Sequence, residues 1–178
     1  VPAELVISTV GVQLYDSEGT EIGAFAWADE ATTALPVLET AFGDPSATGL
    51  VPGDGSHYAD YETYTYPGGF MYYTAINLGK PRSEYHAPSS VRVDASGPIN
   101  GVVVRTSRDL KVGSPLAQVL ALSPALNRPH PLGTVYMLDP LDPAAVGDPE
   151  DSTDTVGVIV NSAGSISVII APWETNPL

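Results

Sequence analysis

Leu110-Lys-Val-Gly-Ser-Pro-Leu-Ala-Gln-Val-Leu-Ala-Leu122 carries the clearest local signal in the chain. It predicts a strand end, a glycine turn and a short capped helix. Ser114 is placed at the N-cap, where its hydroxyl accepts from an orphan N–H of the first turn. Pro115 then takes the first helical position, where its missing N–H costs nothing. Leu116, Val119 and Leu120 follow at i, i+3 and i+4, one apolar stripe facing a core.

Strand signals surround this helix. Upstream, Ile99 to Thr106 reads as a strand that feeds it, and Val91 and Val93 alternate with Arg92 in another. Downstream, Ser123 to Gly133 carries Pro124, Pro129 and Pro131 and is expected to be irregular. Thr134 to Leu138 is a short strand, and Asp139 to Thr155 a long acidic, proline-rich loop. Val156 to Val160 and Ser165 to Ala171 form a hairpin across Asn161-Ser-Ala-Gly164, and Trp173 to Leu178 is expected to dock only lightly.

The N-terminal part repeats the mixture. Leu5 to Trp27 reads as strands, with Val10, Val12 and Leu14 on one face, a turn at Gly19 and Trp27 as a core anchor. The return strand is led by Ile22, Ala24 and Ala26, or by Phe25. Leu35, Leu38 and Phe42 share a helical face that Gly43 and Asp44-Pro45 terminate. Pro36 inside that helix would cost about 3 kcal/mol, so the regular part is expected to start near Thr32 or Thr33. Ser46 to Tyr58 reads as a loop. Tyr61 to Tyr66 and Phe70 to Ile76 read as a hairpin across Pro67-Gly68-Gly69.

These elements predict an α+β fold, mostly antiparallel sheet with two short helices packed on one face. The order also suggests a tandem strand-helix-three-strand unit, with halves 1–97 and 98–178 forming one body. Lys111-Val-Gly-Ser-Pro-Leu-Ala-Gln-Val-Leu120 resembles the helix lead-in of the small outer-membrane-assembly lipoprotein domain, whose tandem form occurs in the β-lactamase inhibitory proteins. Glu30 to Gly43 and Val158 to Ile166 resemble uncharacterised secreted proteins or lipoproteins of actinobacteria. The chain departs from the inhibitor pattern in having no cysteine pair in either half, so no binding residue is carried over.

Composition narrows the function. With 178 residues and a 43% apolar fraction the chain can bury a sizeable core. Its net charge of −14 repels phosphate backbones and anionic lipid, which argues against nucleic acid and against electrostatic membrane docking. The absence of cysteine excludes disulfides and thiolate metal sites. Apolar runs such as Val168 to Ala171 are far shorter than the roughly 20 residues of a membrane span. The chain starts Val-Pro rather than Met, which is expected of a processed or a trimmed chain. Few Lys and Arg beside much Thr, Ser, Gly, Pro and Asp suit an extracytoplasmic bacterial protein, secreted or lipid-anchored.

Three groups of residues could carry function. Seven of nine tyrosines lie between Tyr58 and Tyr85, and strand alternation must bring some to the surface. Tyr58, Tyr61, Tyr64, Tyr66, Tyr72 and Tyr73 are therefore candidate contact residues, since a phenol ring combines apolar area with a hydroxyl. Cross-strand aromatic pairing is the alternative reading. Asp139, Asp142, Asp148, Glu150, Asp151 and Asp154 lie within sixteen residues with no base among them and could hold Ca²⁺ through hard oxygen ligands, although the EF-hand register is missing. A solvated, self-repelling loop is the alternative. His57 with Asp54, Asp60 and Glu62, joined by His86, could form an N/O metal site. No nucleophile elbow, phosphate loop or dinucleotide fingerprint occurs.

The expected function is a non-enzymatic extracytoplasmic binding module whose partner is a protein or cell-wall component. A small secreted hydrolase using His57 and His130, or a calcium-stiffened wall protein, are the alternatives.

Overall fold

The computed structural model describes residues 1–54, 59–79, 88–124, 126–138 and 154–174. Three strands open the chain: β1 (Pro2–Ile7), β2 (Gly11–Asp16) and β3 (Glu21–Ala26). Helix α1 (Ala31–Phe42) follows, then β4 (Ala47–Val51), β5 (Asp60–Tyr66), β6 (Phe70–Ile76), β7 (Ser90–Val93) and β8 (Val103–Thr106). Helix α2 (Leu116–Ala121) precedes β9 (Leu126–His130), β10 (Gly133–Leu138), β11 (Asp154–Val160) and β12 (Ile166–Glu174). The fold is α+β and mostly antiparallel.

Two sheets form. One has four strands in the order β3-β2-β1-β8, and the other eight, in the order β4-β5-β6-β7-β12-β11-β10-β9. The larger sheet consists of two meanders joined edge to edge, where Ile169, Ile170 and Ala171 of β12 pair with Val93, Arg92 and Val91 of β7. The β1–β8 pair is parallel, Glu4 to Ile7 beside Val103 to Thr106. Residues before and after position 97 therefore share both sheets. Five strands lie between the helices and four follow α2, in each case one more than the sequence predicts. The additional ones, β4 and β9, fall in segments that read as loops.

The sheets face each other across one apolar cluster. Leu5, Ile7, Val12, Leu14 and Phe25 come from the smaller sheet, while Phe70, Tyr72, Val91, Val93, Val158 and Ile169 come from the larger. Phe25, not Ile22, leads β3 inward, being 3% exposed against 42%. Val10 is 72% exposed, in the turn before β2 rather than on its core face. Trp27 is the expected anchor: it is buried, and its indole N–H donates to the Ser8 carbonyl at 3.1 Å.

Both helices contribute to that cluster. Ala34, Leu38, Ala41 and Phe42 are the buried face of α1, and Gly43, at φ 81°, ends the helix with its N–H on the Glu39 carbonyl. The helix starts at Ala31, so Pro36 lies inside it. Thr32 and Pro36 are exposed, so water can serve the carbonyl that the missing N–H leaves over.

Helix α2 differs from expectation at its start. Pro115, not Ser114, precedes it in an extended conformation, and no side chain caps it. Ser114 and Leu116 instead bond the β11–β12 turn: the Ile166 N–H donates to the Ser114 carbonyl and the Leu116 N–H to the Gly164 carbonyl, both at 2.9 Å. Pairing with a strand holds this segment extended for one residue longer than capping alone would. The Ser114 hydroxyl accepts from the Lys111 N–H. Val119 is fully buried, but Leu120 is 51% exposed, so the predicted stripe narrows to Val119 flanked by half-buried Leu116.

Candidate functional site

The β5–β6 hairpin divides the tyrosines between two faces. Its register sets Tyr64 opposite Tyr72, Thr63 opposite Tyr73 and Tyr61 opposite Ala75. Tyr64, Tyr66 and Tyr72 therefore face the inner cluster, and Tyr61 and Tyr73 the outer side. Tyr66 and Tyr72 are core residues, 1% and 0% exposed. The Tyr66 ring lies 5.7 Å from that of Phe42, and the Tyr72 ring 5.7 Å from that of Phe25. Neither can touch a partner, which corrects the expectation for these two. Tyr58 lies outside the described residues.

Tyr64 sits half-buried at the rim of the inner face. Its hydroxyl donates to a Glu62 carboxylate oxygen at 2.7 Å. Burial first, then the bond and charge of Glu62, push its pKa up to about 12. Burial also raises the pKa of Tyr73, with the Arg92 charge opposing and Asp94 assisting.

The registers extend the outer face across the sheet. Met71 stands opposite Arg92, Arg92 opposite Ile170, Ile170 opposite Gly157, Gly157 opposite Met137, and Val135 opposite Arg128. Gly157 leaves the space that Trp173 occupies, since a Cβ there would come within 3.1 Å of the Trp173 side chain. The His130 ring meets Trp173 edge-on at 6.0 Å. Val135, Ile159 and Val168 form a second apolar cluster beneath, with Ile170 and Trp173 packed on it. Tyr61, Met71, Tyr73, Arg92, Ile170, Trp173 and His130 are half-buried and Arg128 is exposed. This face carries Arg92 and Arg128, and the Asp94 carboxylate, two residues beyond Arg92, acts on Tyr73 from the end of β7.

The metal expectations fall mainly elsewhere. Asp139, Asp142, Asp148, Glu150 and Asp151 lie outside the described residues, as do His57 and His86, and Asp154 is described only as the first residue of β11. Among the described residues no group of three or more His, Asp or Glu is placed to hold a metal ion. Asp60 accepts from the Gly53 N–H at 2.8 Å and from Asn77 Nδ2 at 3.1 Å. The Gly53 bond, seconded by Asn77, lowers its pKa. His130 Nδ1 accepts from the Leu132 N–H at 3.1 Å.

Sequence reasoning missed Arg92, Arg128 and Trp173, which lie on the same sheet face as Tyr61 and Tyr73. Arg92 between two valines was a usable signal of an outward charge on a strand. Trp173 read as part of a lightly docked end, and Arg128 as part of an irregular segment. Among the described residues no helix is long and apolar enough to cross a membrane. No protein-family model matches the chain, and no curated protein or solved structure matches it.

Proposed function

We propose that this chain is a non-enzymatic extracytoplasmic binding module whose contact surface is the outer face of the eight-stranded sheet. The observation that carries the reading is the make-up of this face: half-buried Tyr61, Tyr73 and Trp173 lie on the same side of the sheet as Arg92 and Arg128. Tyr, Trp and Arg are the residue types that dominate binding hot spots, because they bury large area and donate directional hydrogen bonds. Arg92 and Arg128 can each pair locally with a carboxylate of a protein surface or of a wall polymer. The extracytoplasmic, secreted or lipid-anchored placement rests on composition, poor in Lys and Arg and rich in Thr, Ser, Gly, Pro and Asp.

The test is retention of an anionic wall polymer and of secreted proteins on immobilised protein, compared with the Arg92→Ala/Arg128→Ala variant and with Tyr73→Ala. Retention should fall about tenfold or more in both, while melting temperature changes little for the arginine variant. Equal retention by all three proteins, or none by the parent, refutes the reading.

A further inference from the structure

A sheet edge presents unpaired backbone donors and acceptors unless something blunts it. The four edges here are β3 and β8 of the smaller sheet and β4 and β9 of the larger. Strand β9 is blunted by its own sequence, because Pro129 removes a donor and Arg128 adds a charge. Strand β8 has only four residues, and its Arg105 is engaged by Glu4 and Asp109. Strand β3 starts on Glu21 and runs beneath α1, whose Val37 lies 3.3 Å from where a Gly23 Cβ would be.

Strand β4 has none of these protections. Ala47-Thr-Gly-Leu-Val51 contains no charge and no proline, and all five residues are exposed. Leu50 is 61% and Val51 50% exposed. The pairing with β5 runs without a break from Ala47 opposite Thr65 to Val51 opposite Tyr61, so the strand is regular over its length. Pro45 and Pro52 flank it and limit further pairing to this stretch.

Charge decides what fits there. Strands β4, β5 and β6 contain Asp60 and Glu62 and no Lys or Arg, and Asp44 stands three residues before β4. A second copy of the chain would bring the same carboxylates against each other, on two bodies each of net charge −14. A strand with basic ends meets opposite charge instead.

We propose that the outer edge of β4 is a strand-addition site for an extended segment of a partner protein. That segment has an uncharged centre of about five residues with alternate apolar side chains, flanked by Lys or Arg. Backbone bonds to β4 supply affinity, and contact with Leu50 and Val51 selects apolar neighbours. The site is independent of the outer-face residues above.

The probe is a labelled peptide with a Thr-Val-Thr-Val-Thr centre and two lysines at each end, followed by fluorescence anisotropy and hydrogen exchange. Binding should slow exchange at β4 amides and nowhere else. It should weaken about tenfold or more when alternate peptide amides are methylated, when glutamates replace the lysines, and in Leu50→Lys. Leu50 is exposed, so that variant keeps its melting temperature. Arg92→Ala/Arg128→Ala, the variant directed at the outer face, should leave peptide binding unchanged. Absence of binding, equal binding of the methylated or glutamate peptide, or protection away from β4 overturns the proposal. Dimerisation of the free protein with protected β4 amides also overturns it, by assigning the edge to a second copy.

Discussion

Tyr66→Phe should stabilise this protein, against the usual direction for a buried tyrosine. The ring is packed between Phe42 and Phe70, at 5.7 and 6.1 Å, and the residue is 1% exposed. Its hydroxyl has no hydrogen-bond partner among the described residues. A buried hydroxyl without a partner forfeits its bonds to water, at about 1–3 kcal/mol. Phenylalanine keeps the ring and removes that cost, so the gain should be about 1–2 kcal/mol, or roughly 2–4 °C in melting temperature for each kcal/mol at this length. A second readout comes from alkaline pH. Burial, with smaller contributions from nearby acidic groups, raises the Tyr66 pKa above its ordinary 10, so near neutrality the phenol is protonated in both folded and unfolded chains. Above pH 10 the unfolded chain loses that proton first, and the stability held by the neutral phenol drains away as pH rises toward the folded value. The advantage of Tyr66→Phe should therefore grow above pH 10, by up to about 1.4 kcal/mol per pH unit. Urea melts of both proteins at pH 7, 9 and 10.5 measure it. A variant destabilised by about 1 kcal/mol or more at pH 7, or a difference constant with pH, refutes the reasoning.

Gly157→Ala places a methyl against Trp173 and should cost about 1–3 kcal/mol, with a shift in tryptophan emission as the indole is displaced; unchanged emission would contradict the packing. Pro36→Ala should restore the helical N–H of α1 and stabilise by about 1–2 kcal/mol, the helix gain less the looser unfolded chain, as thermal melts would register. Glu4 is held below its ordinary pKa chiefly by the Arg105 hydrogen bond, so its contribution is present above about pH 4.5 and lost as pH falls through the folded value. Glu4→Gln should flatten the acid limb of the stability–pH curve and cost under about 1 kcal/mol at neutrality, since both side chains remain partly solvated.

What the sequence made legible was what burial imprints on it. The Pro67-Gly68-Gly69 hairpin, the Gly43 stop, Trp27 and the alternation of Val91 and Val93 all reflect a buried face or an obligatory turn. Strands β4 and β9 left no such imprint, because an edge strand with exposed side chains needs no period and tolerates Pro129. Alternation alone separated Tyr64 and Tyr66 from Tyr61, but it cannot say which set points inward. That depended on where Phe42 and Phe25 arrive from other elements. Ser114 and Pro115 had the composition of a cap, yet long-range pairing to Gly164 and Ile166 took precedence over that local preference. Trp173 joined the candidate surface through Gly157, sixteen residues away, a relation no local window contains.

The seam between β7 and β12 governs how the chain can reach this structure. Every pairing within either meander joins strands that follow one another in sequence, whereas the seam brings residues 91–93 to residues 169–171. Loop closure of that length is entropically expensive and is repaid only once both partners exist. The two four-stranded ribbons should therefore form early and zip together late, through three residue pairs. Until they do, β7 and β12 are both raw edges, and Val91, Val93, Ile169 and Ala171 are bare. A nascent chain that pauses there is the species most exposed to pairing with a neighbour's ribbon, so refolding yield should fall steeply with protein concentration even though the finished molecule hides that joint at its centre.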